Sequence, residues 1–332
     1  MFKEIKELLE CPACHGELTW MIQEHTEERI VNAQIKCTEC HADYEVKDEI
    51  GMFLTPDLVR NDLWEKVDGV IVNFFNENPD IFKELENADP HTMNGTDLWY
   101  LASYYESKEN FDKSQALFDI AFPKIYEADY LSAWRSGMDY ITDSLQPEKI
   151  MVDIASGKGY LVRRTLEKTT NKVVATDFSP TVLVRNKAYY KHLGLYDRLS
   201  LVAFDARRTP FKNESVELMT TNLGLSNIEN SGTIANEIDR ISKSKVMFYL
   251  EFLDESDKAH VDFLNEYKMA DMNLRSNCLQ VFEDKAFTIS FDNDIEVLKS
   301  PTPKGNIIEG VGIDSLPLHP IKYSCCVMVG EK

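Results

Sequence analysis

The sequence lacks any long apolar run. No stretch approaches 18 uncharged apolar residues, and the best candidate, residues 246–253, is broken by Glu251. It also lacks a signal-peptide type of opening, since MFKEIKELLE is charged and amphipathic. These two absences lead us to expect a soluble, cytoplasmic protein. Positive charge is scarce as well: 36 Lys+Arg stand against 56 Asp+Glu, a net charge of -20 over 332 residues. That balance argues against non-specific binding along a phosphate backbone, although it leaves room for a locally basic site.

Hydrophobic residues make up 43% and aromatic residues 11%, enough for a sizeable core, which excludes a wholly disordered chain. The length suggests two domains, with room for an extra element. The charge is unevenly placed, at -7 over residues 1–56, -12 over 57–148 and -1 over 149–332. Three units are therefore expected, with boundaries at 1–56, 57–148 and 149–332.

Four of the seven cysteines fall in two identical spacings, Cys11-Pro12-Ala13-Cys14 and Cys37-Thr38-Glu39-Cys40. Each C-x2-C turn can aim two thiolates at one centre, and two such turns complete a closed tetrahedron around Zn2+. The intervening residues read as a hairpin, with strands at 18–22 and 29–35 around a polar tip. The pattern is that of a zinc ribbon. Four thiolates leave no open position, so its metal would be structural. Two chance pairs or a redox motif are the alternative. The ribbon, with its tail at residues 44–54, resembles the family that includes the tRNA-methyltransferase activator subunit. Met52 stands where that family commonly has proline. The resemblance covers about residues 8–55 and implies a module that accompanies methyltransferases.

Residues 57–148 carry helical spacing. Pro56-Asp57 opens a helix with apolar positions Leu58, Leu63, Val67, Val70, Ile71 and Phe74. Leu98, Leu101, Ala102 and Tyr105, then Phe111, Ser114, Phe118 and Ala121, read as one helical hairpin. A tetratricopeptide array would need about three such units. The aromatic stripe from Tyr126 to Trp134 reads as core, with a lid over a catalytic pocket as the functional alternative.

From Lys149 onward, strands alternate with helices, which indicates a parallel sheet. The first strand, 150–154, runs into Ala155-Ser156-Gly157-Lys158-Gly159-Tyr160. Glycines at such a turn let a ligand approach the backbone. The second strand ends in Asp177-Phe178, about 20 residues later, placed to accept ribose hydroxyls. The third ends in Asp205-Ala206 and the fourth in Asn222-Leu223. A nicotinamide-dinucleotide enzyme would want a third glycine after two more residues, where Arg163 stands instead.

This series resembles the class I S-adenosylmethionine-dependent methyltransferases over residues 125–332. Their Asp-x-Gly-x-Gly-x-Gly hallmark stands here as Asp153-Ile154-Ala155-Ser156-Gly157-Lys158-Gly159, with Ala155 in the first glycine place. An alanine there implies a backbone without obligatory positive φ. The resemblance implies a Rossmann-like, seven-stranded α/β core preceded by a helical segment and the zinc ribbon. It also implies an S-adenosylmethionine site built from Asp153, Ala155, Ser156, Gly157, Gly159, Tyr160, Asp177, Phe178, Asp205, Ala206, Asn222 and Leu223. Within it residues 155–159 would wrap the methionine part and Asp177 would hold the ribose. Asp205 would meet the adenine amine between Phe178 and Ala206, and Asn222 and Leu223 would border the transferred methyl.

The run after Asn222 is not Asn-Pro-Pro-Tyr, and no Pro-Cys pair occurs. The family pattern therefore disfavours methylation of adenine amines and of pyrimidine carbons. No catalytic base is assigned, because His192, His260 and His319 read as surface or core residues. Cys278, Cys325 and Cys326 read as buried packing residues, a soft-metal site being the alternative. Residues 158–212 hold 12 Lys+Arg against 4 Asp+Glu. That window either meets RNA or an acidic substrate, or is a helical face that pairs with the acidic segment.

The expected function is methyl transfer to an unidentified acceptor, with a small molecule ahead of RNA or protein. The alternative is a catalytically silent adaptor that binds cofactor and recruits a partner through ribbon and helices. Metal analysis of the purified chain should return about one zinc per molecule; a folded, metal-free ribbon would contradict the zinc assignment.

Overall fold

The computed structural model describes residues 1–58, 63–147, 149–308 and 312–332. In chain order the cysteine-bearing segment supplies β1 (Leu18–His25), β2 (Ile30–Cys37), β3 (Asp43–Lys47) and β4 (Ile50–Met52). Five helices follow, α1 (Leu63–Glu77), α2 (Pro79–Asn87), α3 (Gly95–Ser107), α4 (Phe111–Ile125) and α5 (Ala128–Asp143). Then come β5 (Ile150–Asp153), α6 (Tyr160–Lys168), β6 (Lys172–Asp177), α7 (Pro180–His192), β7 (Leu199–Ala203) and β8 (Val216–Asn222). The chain closes with α8 (Ile234–Ile241), β9 (Ser242–Leu253), α9 (Lys258–Glu266), α10 (Arg275–Phe282), β10 (Thr288–Lys299) and β11 (Ile321–Glu331).

The chain divides into two compact units. The first comprises Met1–Arg60, Ser136–Ile295 and Ser324–Lys332, and the second Asn61–Arg135 and Glu296–Tyr323.

Among the described residues the sheet has eleven strands in the order β1-β2-β3-β4-β7-β6-β5-β8-β9-β11-β10. The count exceeds seven because the four N-terminal strands continue the sheet at its β7 edge. Ile50, Gly51 and Met52 pair in parallel with Leu201, Val202 and Ala203. Strands β5, β6 and β7 are apolar runs buried almost throughout, as parallel strands covered on both faces require. Their helices start on local signals: Ser179 caps α7 by accepting from Val182 N, and Pro180 fixes the first turn.

Strands β3 and β4 lie in the stretch 44–54, which the sequence marked only as a family tail. Their residues join the N-terminal segment to the core. The Phe53 ring stacks on Tyr44 at 5.5 Å and tilts against Trp20 at 6.1 Å. Arg29, 8% exposed, points into the junction. Its guanidinium donates to Leu199 O (3.0 Å), Tyr196 O (2.7 Å) and Asp197 O (3.0 Å), and its face meets the rings of Phe2 and Tyr196. Phe2 N donates to Ser200 Oγ at 2.9 Å, and Arg240 pairs with Glu10 at 2.7 Å.

The helix expected from Pro56-Asp57 does not begin there, since residues 56–58 form a turn and bend. Residues 59–62, the side chains of Leu63 and Val67, and the boundary residue Glu148 lie outside the described residues. In the second unit α3 and α4 form the anticipated hairpin, with Leu98, Leu101, Ala102, Tyr105, Phe111, Ser114, Phe118 and Ala121 all buried. Ser114 Oγ donates to Ala102 O across it at 2.8 Å. Asn94 caps α3 by accepting from Thr96 N and Asp97 N. Asp97 Oδ1 accepts from Asn306 N at 2.8 Å, which ties the distant 303–308 segment to the same helix.

Arg29→Ala would leave two buried carbonyls and one part-buried carbonyl without their donor, and should cost about 3 kcal/mol of unfolding free energy. Arg29→Lys should recover only part of it, because an ammonium cannot fork across three acceptors. Urea unfolding of both variants checks this.

Candidate active site

The carboxyl ends of β5, β6, β7 and β8 lie side by side in the sheet, where open α/β sheets bind ligands. The turn after β5 is built first. Asp153 is 1% exposed, and its Oδ1 accepts from Thr220 Oγ1 at 2.7 Å. Its carbonyl accepts the hydroxyls of Ser156 (3.0 Å) and Thr176 (2.9 Å). Ser156 also bridges to β6, donating its N to Thr176 O at 2.7 Å and accepting Thr176 N on Oγ at 3.0 Å. Asp153 therefore sits beneath the turn as its foundation.

Ala155 has φ 51°, and Gly157 and Gly159 have φ 51° and 76°. The alanine was expected to avoid positive φ; it instead takes the left-handed conformation of the glycine it replaces. The cause is on both sides of it. Ile154 N is tied to Thr220 O at 2.8 Å and Ser156 to Thr176, so the turn is fixed and Ala155 must follow. A Cβ on Gly224 would come within 2.4 Å of Ala155 O, so the turn after β8 presses on the turn after β5.

Asp177 ends β6 and closes the site. Its Oδ2 accepts from Gly157 N at 3.0 Å and its Oδ1 from Ser179 N at 2.9 Å. One carboxylate thus links the glycine turn to the start of α7. Asn186 Nδ2 donates to Gly157 O and Tyr190 Oη to Gly159 O, both at 2.8 Å. A Cβ on Gly159 would meet the Tyr190 hydroxyl at 2.4 Å, so close packing as well as φ requires glycine there. Tyr160 opens α6, half-buried, and Phe178 is half-buried beside Asp177.

Two residues beyond β7, Asp205 is buried with Ala206 after it. The Arg207 guanidinium forks onto its carboxylate, with Nε to Oδ1 at 2.9 Å and Nη2 to Oδ2 at 2.7 Å. At the end of β8, Asn222 is half-buried, and Leu223, with φ 61°, donates its N to Tyr249 O in β9 at 3.1 Å. The structure brings all twelve anticipated residues to four neighbouring strand ends. Asn186, Tyr190, Thr220 and Arg207 were not anticipated. Arg207 alone left a local trace, two residues after an aspartate.

The basic window is engaged internally. Arg164 Nε donates to Asp139 Oδ1 of α5 at 2.6 Å, and Lys168 pairs with the same carboxylate. Lys187 and Lys191 face Glu49 at 3.3 and 3.9 Å, and Arg208 meets Asp57 at 2.8 Å. These contacts match a helical face that pairs with acidic neighbours. His260 is buried beside Asp257 at 3.0 Å, while His192 and His319 are exposed. Burial pushes the thiols of Cys278 and Cys326 up to about 12, as inert packing residues require.

Cys11, Cys14, Cys37 and Cys40 converge, their sulfurs all within 4.8 Å of one another. Cys11 and Cys40 are 3.6 Å apart and Cys14 and Cys37 3.5 Å, near the roughly 3.8 Å edge of a tetrahedron with 2.3 Å metal–sulfur bonds. The donor set fits a zinc ion. The residues after the two knuckles, His15 and His41, turn back in the left-handed region and lie outside the cluster.

Residues 152–250 match the family described as a methyltransferase domain. This stretch thus carries a methyltransferase domain. A malonyl-[acyl-carrier protein] O-methyltransferase of Halorhodospira halophila (strain DSM 244 / SL1) is 26% identical over 187 residues, half of this chain. The chain spans 62% of that relative's length. Among solved structures, the YcgJ protein of Bacillus subtilis is 12% identical with a TM-score of 0.47, over 60% of this chain and 98% of its own. A geranyl diphosphate methyltransferase is 12% identical with a TM-score of 0.45, over 68% of this chain and 90% of its own.

Two predictions arise from the turn. Ala155→Gly relieves a left-handed alanine and should raise the unfolding free energy by about 1 kcal/mol, read as a higher melting temperature. The second concerns Asp153, whose carboxyl is pushed up from 3.8 to about 7 by burial, against the donation from Thr220 and Ser156. A carboxyl raised on folding contributes stability that is fully present below its unfolded value and is lost as pH rises through its folded one. Asp153→Asn should therefore gain on the parent between pH 4 and 7, by roughly 2–4 kcal/mol, and hold that difference above pH 7. Urea unfolding across this range measures it.

Proposed function

We propose that this protein transfers a methyl group from S-adenosylmethionine to a small-molecule acceptor, and that its four cysteines hold one structural Zn2+. The observation that carries the reading is the convergence of the left-handed turn 155–159, Asp177, Asp205 and Asn222 at neighbouring strand ends. These residues fit the cofactor. The turn offers backbone at the small residues Ala155, Ser156, Gly157 and Gly159, and two acidic residues follow at the spacing that suits a ribose and an adenine.

When bound, S-adenosylmethionine supplies an activated methyl on its sulfonium. The protein's part is to hold both reactants in line and keep water out. Residues 155–159 would cradle the methionine part, Asp177 would accept from the ribose hydroxyls, and Asp205 would accept from the adenine amine. Asn222 and Leu223 would border the transfer position. The turn is preformed, because Asp177, Asn186 and Tyr190 already fix its peptide groups.

Two features support a small acceptor over a nucleic acid: the chain is strongly acidic, and its basic window is engaged in internal pairs. The curated relative is named for a malonyl group on a carrier protein, which also points away from a nucleic acid. A carboxylate acceptor of that type needs no general base, which agrees with a site in which none is assigned.

Calorimetry of the zinc-loaded chain should show micromolar binding of S-adenosylmethionine. Asp177→Ala should weaken it by about 10–100-fold, as loss of charged hydrogen bonds to a ribose requires. Absence of binding by the unmutated protein would overturn the reading.

A further inference from the structure

We propose that Arg207 is a positioning residue that fixes the Asp205 carboxylate so that it offers a single acceptor site, and thereby makes the cofactor pocket selective for adenine over its 6-oxo counterpart. This rests on the cofactor reading above, in which Asp205 meets the base.

The geometry is specific. Asp205 Oδ1 accepts from Arg207 N and from Arg207 Nε, both at 2.9 Å, and Oδ2 accepts from Nη2 at 2.7 Å. A carboxylate offers about four lone-pair sites. Both sites of Oδ1 and one of Oδ2 are therefore taken among the described residues, which leaves one, on Oδ2. The two-residue spacing matters. The backbone N–H of Arg207 and its own side chain grip the same carboxylate.

A carboxylate free to rotate would turn its lone pairs away from the base for part of the time, and its preference for an amine would weaken. Clamped by three donors, it presents only an acceptor in one direction. An exocyclic amine finds a partner there. A carbonyl oxygen at the same position faces another oxygen, and neither is satisfied. Lysine in place of Arg207 would keep the charge but not the fork.

Calorimetry on the full, zinc-loaded chain with S-adenosylhomocysteine and S-inosylhomocysteine tests this. The unmutated protein should prefer the adenosyl ligand by at least about 30-fold. Arg207→Gln should lose about tenfold in affinity for the adenosyl ligand and keep its affinity for the inosyl one, so that the preference shrinks to a few-fold. Arg207→Lys should fall between the two. A merely structural arginine would weaken both ligands alike. Equal losses, or an unchanged preference in Arg207→Gln, would overturn the proposal. Failure of the unmutated protein to bind either ligand would instead overturn the cofactor reading itself.

Discussion

Three residues of parallel ladder, Ile50–Met52 against Leu201–Ala203, join the cysteine-bearing segment to the nucleotide-type sheet. Without β4, the strand β7 would be an open edge of buried, apolar sequence, and such edges invite wrong pairing. With it, the sheet continues without a break from β1 to β10. The four thiols converge from the turns that bracket β1 and β2, β2 pairs with β3, β3 with β4, and β4 covers β7. Strand β7 in turn delivers Asp205 to the site. Arg29 reinforces the same junction from below through three backbone carbonyls.

The site itself is organised by backbone as much as by side chains. Asp177 receives the amides of Gly157 and Ser179, so one carboxylate sets both the glycine turn and the first turn of α7. Buried Asp153 anchors the turn from beneath, and Ala155 accepts an unfavourable φ to complete it. Strain held at a ligand turn is consistent with a site that is shaped before its ligand arrives. A preformed cradle lowers the ordering cost of binding and leaves alignment of the acceptor as the remaining task.

The elements legible in the sequence were those that local spacing determines. Two C-x2-C pairs announce a convergence of thiols, and a buried strand followed by a small-residue turn and an acidic residue about 20 positions later announces the site. The hairpin of α3 and α4 was visible because its apolar positions recur at helical spacing. What stayed hidden depends on distant partners. Nothing near Arg29 marks it as a clasp on residues 196–199, and nothing near Asn186 or Tyr190 says that they hold the carbonyls of Gly157 and Gly159. The positive window could be counted but not placed, because its partners Glu49, Asp57 and Asp139 lie well before it in the chain. The return of residues 296–323 to the helical unit was hidden for the same reason, since Asp97 and Asn306 are far apart in sequence.

The central claim is that one ligand, S-adenosylmethionine or its demethylated product, occupies the carboxyl ends of β5, β6, β7 and β8. Amide hydrogen exchange with and without S-adenosylhomocysteine reads this residue by residue. Slowed exchange should concentrate in residues 155–160, 177–179, 205–207 and 222–224, with the β1–β2 tip at residues 23–28 unchanged. Protection confined to other segments, or none at saturating ligand, would contradict the account.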